Sequence, residues 1–180
     1  MKKALFFGSI IFSVMISFYL FSGLRGIKVD DEIMEYERVS NKALLHAAQK
    51  IMKEQDVHGI GFGGGKRRSG ERFLTLALEA DRLASLEEAR KLVVDCVEIF
   101  LQSLNNEEEL RPFFEKYPLS VENIRLEIFF RYEKGYSVRP PNISVASCDA
   151  RNIEYRIKPD ELLEDFHEET FEEALQHLKK

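Results

Sequence analysis

The chain reads as an α+β protein: a mostly antiparallel sheet of about five strands with helices packed on one face, preceded by one N-terminal transmembrane or signal helix. Three observations predict it. Residues 4–24 carry no charge. Segments beyond them alternate apolar and polar residues with a period of two, the mark of a strand with one buried face. Other segments repeat apolar residues every three or four positions, the mark of a helix with one buried stripe.

The uncharged stretch follows Met1-Lys2-Lys3 and is made of six Gly or Ser and fifteen apolar residues, five of them Phe. At 1.5 Å per residue a helix of this length reaches about 31 Å, the thickness of a hydrocarbon core. A cleavable signal peptide has a shorter apolar run and small residues at its cleavage site; Phe21-Ser22-Gly23 puts Phe where a small side chain is wanted. The reading is a signal anchor or a poorly marked signal peptide over residues 1–26, with the membrane contact through residues 4–24 and a single extracytoplasmic domain over residues 27–180. Lys2 and Lys3 keep the N-terminus on the cytoplasmic side by the positive-inside bias.

Within that domain, Asp30 to Glu54 reads as a helix through Tyr36, Val39, Ala43, Ala47 and Ile51. Val57–Phe62 and Arg72–Ala80 read as strands of a hairpin around the loop Gly63–Gly70. Ser85 and Glu88 form an S-x-x-E capping box at the start of a helix carrying Leu92, Val93, Cys96, Val97, Phe100 and Leu104. Glu107–Glu109 suit the start of a further short helix, interrupted by Pro112 and closed by Pro118. Asn123–Tyr132 alternates, with Ile124, Leu126, Ile128 and Phe130 inward. Ile143–Cys148 and Ile153–Ile157 read as a second hairpin. From Pro159-Asp160 to the end, Leu163, Phe166, Phe171, Leu175 and Leu178 predict a terminal helix whose wet side is Glu161, Glu164, Asp165, Glu168, Glu169, Glu172 and Glu173.

The run Leu110-Arg111-Pro112-Phe113-Phe114-Glu115-Lys116-Tyr117-Pro118, with the glycine-rich hairpin before it, resembles parts of uncharacterised exported proteins of chlamydia-like bacteria over residues 57–157. The resemblance implies no known activity.

Charge excludes one class of partner. The first 26 residues hold Lys2, Lys3 and Arg25 and no acid, so the remainder sets 23 basic residues against 31 acids, a net charge of −8. A nucleic-acid binder needs a basic footprint to neutralise phosphates, so no nucleic-acid partner is expected. Gly59–Lys66 fails as a nucleotide loop. A Walker A motif needs Gly five residues before the Gly-Lys pair and Ser or Thr after it; here those positions hold Ile60 and Arg67. A dinucleotide loop opens a helix, and here a strand follows. No cofactor motif is present.

What remains of the loop is three adjacent cations, Lys66, Arg67 and Arg68. They read as a solvated hairpin tip or as a binding site for anions or lipid headgroups, where each basic residue near an anionic surface is worth about 1 kcal/mol. The acidic end of the chain offers a contrasting surface for a basic protein partner. His167-Glu168 begins an H-E-x-x-H zinc motif whose second His is replaced by Phe171; Glu173 and His177 supply only two ligands, and no metal site is expected. Cys96 and Cys148 permit a disulfide in an exported domain, while the place of Cys96 on an apolar helical face suits a buried free thiol. These residues support a non-enzymatic binding or interaction domain. The alternative is a small envelope hydrolase using carboxylate chemistry.

Overall fold

The computed structural model describes residues 31–132 and 136–179. The expected anchor or signal segment lies outside the described residues. Among those described, no helix is long and apolar enough to cross a membrane.

Helix α1, Asp31–Glu54, buries Val39, Ala43, Leu44, Ala47, Ala48 and Ile51 along the stripe read from the sequence. Strands β1, His58–Lys66, and β2, Arg72–Ala80, form the expected antiparallel hairpin, with a register shift between Gly59 and Gly61. At its tip the Arg67 N–H donates to the Glu71 carbonyl, and the Gly70 N–H donates to that of Arg67. Gly70 sits at φ +92°, a left-handed conformation that costs a residue with a Cβ strain.

Helix α2, Leu86–Asn105, starts at the predicted box: the Ser85 hydroxyl accepts from the Glu88 N–H, and the Glu88 carboxylate accepts from the Ser85 N–H. Two short 3₁₀ turns, Glu108–Phe113 and Val121–Asn123, carry the chain across to β3, Ile124–Tyr132. The two-residue β4, Tyr136–Ser137, pairs with β3, and β5, Val145–Asp149, turns through Ala150 (φ 56°) into β6, Asn152–Ile157.

The sheet runs β1-β2-β3-β5-β6-β7 with β4 attached to β3. It is mixed: β2 and β3 are parallel, and every other pair is antiparallel. Parallel neighbours need a crossover, and α2 with the 3₁₀ turns supplies it. Leu74, Leu76, Leu78, Ile124, Leu126, Ile128, Ala146, Cys148, Ile153 and Tyr155 share one face of the sheet and form a single buried core with the inner sides of the helices. The opposite face carries Phe73, Thr75, Glu79, Arg125, Glu127 and Arg131, all partly exposed.

The terminal helix is shorter than expected. Glu164–Thr170 is a strand, β7, and only Phe171–Leu178 is helical, here α3. Backbone demand decides this: the outer edge of β6 presents polar groups that an added strand satisfies, and β7 pairs with it from Glu164 to Thr170 with one interruption. The register shift between Tyr155 and Arg156 leaves Phe166 without an opposite residue, so the apolar residue taken as a helical anchor is half exposed. The acids Glu164, Asp165 and Glu168 are therefore edge-strand residues rather than one face of a helix, and Glu169 is buried.

Candidate functional site

The three cations of the hairpin are placed differently. Lys66 and Arg68 are exposed. Arg67 folds back over the face of the sheet opposite the core and grips Asp149 of β5, which Arg125 of β3 also holds, with Arg125 Nε 2.9 Å from Asp149 Oδ2. Both guanidiniums lie over the Phe73 ring, at 4.9 and 5.3 Å from its centroid. Burial works to raise the Asp149 pKa, and the hydrogen bonds and charges of the two arginines overcome it and hold the carboxyl below its ordinary value. Arg67 is thereby a tie between the hairpin and the centre of the sheet.

Beside the tip lies a cleft of about 130 Å³ between the hairpin and the first 3₁₀ turn. Lys66, Arg72 and Lys116 line it together with Glu71, Glu115 and Glu122, so its charges balance. Arg72 lies over the Tyr36 ring at 4.2 Å.

A different surface stands out along β1. One flank of α1 carries Lys42, His46 and Lys50, which reach Glu109, Glu107 and Gln102 beyond and along α2 at 3.3, 2.8 and 2.7 Å. The opposite flank carries Leu45 and Met52 and overhangs β1, where the Gly59 N–H donates to Met52 Sδ at 3.1 Å. Leu45, Met52, Ile60 and Phe62 are 46%, 39%, 52% and 48% exposed. Two of these exposed apolar side chains stand on α1 and two on the outer strand of the sheet, whose outward backbone edge no described residue pairs.

Cys96 and Cys148 are free thiols. Both are buried, and that burial pushes each thiol up to about 12. Cys148 sits on β5 and points into the core, where its Sγ donates to the Ala150 carbonyl at 3.5 Å.

His167 and Glu168 lie on a strand, where the helical spacing of a zinc motif has no meaning. Glu173 is engaged at the start of α3: its carboxylate accepts from the Thr170 N–H, and the Thr170 hydroxyl accepts from the Glu173 N–H. Among the described residues no group of three or more His, Cys, Asp or Glu side chains is placed to hold a metal ion.

Sequence reasoning also missed a buried cluster. Arg90 of α2 donates through Nε to Glu169 Oε1 at 2.7 Å, and the Tyr155 hydroxyl donates to the same oxygen at 2.8 Å. His167 stacks on Tyr155, and its Nε2 stands 4.0 Å from Glu169 Oε2. Burial, with the bond and charge of Glu169, pushes the Tyr155 phenol far above its ordinary pKa. Burial opposes the Arg90 charge, and the Glu169 carboxylate outweighs it, so the guanidinium is held firmly protonated. Glu169 faces inward because it pairs with Ile153, a core residue of β6. The legible signal was Thr170-x-x-Glu173, a second capping box that starts the last helix at Phe171 and so releases the preceding residues to a strand.

No protein-family model, curated protein or solved structure matches the chain.

Proposed function

We propose that the chain is a membrane-tethered or exported extracytoplasmic domain that works as a non-enzymatic binding module, with the β1 side of the sheet as its contact surface. The observation that carries this reading is the half-exposed pair Ile60 and Phe62 on an outer strand, beside Leu45 and Met52 of α1. Soluble domains guard such edges with charges, prolines or a covering element, and an extended strand added to a bare edge is a common mode of recognition. The tether rests on the uncharged residues 4–24.

Two carboxylates at the sheet are already engaged in ion pairs. Asp149 is held by two arginines, and Glu169 is 7% exposed between Arg90 and Tyr155. This favours binding over hydrolysis.

A photo-crosslinking amino acid placed at Phe62 in the full chain, expressed in its native membrane, tests the proposal. It yields discrete adducts, and the same group at Leu162, 78% exposed next to the opposite edge strand, does not. Equal labelling at the two positions, or none at Phe62, overturns it.

A further inference from the structure

We infer that the occupant of the β1 edge is a second copy of this chain, joined by antiparallel pairing of β1 with its counterpart. The inference rests on the binding reading above and names the partner. Three features of the edge converge on it.

The first is shape. An antiparallel pair of identical edge strands is isologous, because the same patch serves both copies and the assembly closes at two. Its twofold axis stands perpendicular to the sheet, so the helix layers of both copies fall on the same side. The α1 helix of each copy then lies beside the other. Their facing flanks are the ones that carry Leu45 and Met52, since the Lys42, His46 and Lys50 flank is turned toward α2.

The second is apolar area. Phe62 pairs with Leu76 and so projects to the helix side of the sheet, where the two α1 helices would meet. Ile60 sits at the register shift of the same strand. Pairing buries Ile60, Phe62, Leu45 and Met52 of both copies together, and burial of such side chains drives association.

The third is charge. The two ends of β1 carry opposite signs. Asp56 precedes the strand, and Asp81 stands 3.5 Å from His58 at its start. Lys66 and Arg68 close it. In a register centred on Phe62 the start of one β1, preceded by Asp56, lies beside the tip of the other, with Lys66 and Arg68, the extra residue at Ile60 moving each opposite position by one. Twofold symmetry repeats that juxtaposition at the far end. The basic tip of each copy therefore meets the acidic start of the other on a chain that is net acidic. A parallel arrangement would instead set like charges side by side.

The experiment uses the full chain in mild detergent. Phe62→Cys under oxidising conditions gives a species of twice the chain mass, and Leu162→Cys does not. The native Cys96 and Cys148 are buried and contribute little background. Sedimentation equilibrium then measures the dimer constant. Asp56→Arg or Arg68→Asp alone weakens it about tenfold, as two lost ion pairs at under 1 kcal/mol each would, and the two exchanges together restore it.

A chain that stays monomeric at all concentrations, or a Phe62→Cys chain that never doubles, overturns the inference. So does a dimer indifferent to both charge exchanges. Photo-adducts at Phe62 of a mass other than double remove the second copy while leaving the contact surface standing. Absence of any adduct removes both.

Discussion

Arg90 on α2 and Glu169 at the end of β7 meet at 2.7 Å with side chains 6% and 4% exposed. The pair ties the main helix to the last strand of the sheet, 79 positions apart in the chain. Tyr155 completes it, so one carboxylate oxygen receives two donors in the core.

Breaking this cluster from one side leaves an uncompensated buried charge. Glu169→Ala is expected to lower stability by about 3–5 kcal/mol. Replacing all three polar groups, as Arg90→Met, Glu169→Leu and Tyr155→Phe together, recovers most of that loss. Urea midpoints with an unchanged slope report both effects. A triple variant no more stable than Glu169→Ala would show that the cluster adds energy of its own.

Asp149 makes stability depend on acid. Its carboxyl titrates lower in the folded chain than in the unfolded one, so its contribution is complete above about pH 4 and is lost as the pH falls through the lower folded value. With the side chain 38% exposed, solvent screens the two arginines, and Asp149→Asn is expected to cost about 1 kcal/mol at pH 7. The curves of the parent and Asp149→Asn chains should converge once the pH has fallen below that folded value. A difference that persists there would place the effect in packing rather than in charge.

The cysteines should be silent in the folded protein. Burial pushes both thiols up to about 12, and the thiolate is the reactive form. At pH 7.5 a maleimide reagent is expected to leave Cys96 and Cys148 unmodified, and to modify both after denaturation. Mass spectrometry of the intact chain counts the additions.

Two neighbouring glycines should respond in opposite ways. A Cβ on Gly64 would come within 2.9 Å of the Phe73 carbonyl oxygen, whereas one on Gly63 meets nothing within 4 Å. Gly64→Ala is expected to cost about 1–3 kcal/mol through forced backbone movement. Gly63→Ala should be neutral or slightly stabilising, because it removes freedom from the unfolded chain. Thermal melts of the two variants separate these outcomes.

Local patterns in the sequence account for most of the fold. The Ser85 box, the α1 stripe and the alternation of β2 and β3 are each written within a few residues and survive folding unchanged. What the sequence hid depends on distance. Arg67 and Asp149 are 82 residues apart, and nothing near either announces the other. The same holds for Arg90 and Glu169. β7 was obscured for a different reason: Leu163, Phe166 and Phe171 fall at spacings a helix tolerates, while the hydrogen-bonding needs of β6 outweigh that local preference. The strand–helix–strand order of β2, α2 and β3 was visible, but the parallel pairing of β2 with β3 was not expected: a long connection permits parallel neighbours without dictating them.

That parallel pair also sets a timetable for the growing chain. β2 is complete by Ala80, yet its inner neighbour does not begin until Ile124. During synthesis the hairpin of β1 and β2 emerges with leucines on one side and no third strand to close upon, and α2 is made in the interval. Delayed pairing of this kind leaves apolar strand edges open to wrong contacts. The nascent molecule is therefore most vulnerable while only its first half exists, and a pause in translation between Asn105 and Ile124 would prolong that exposure.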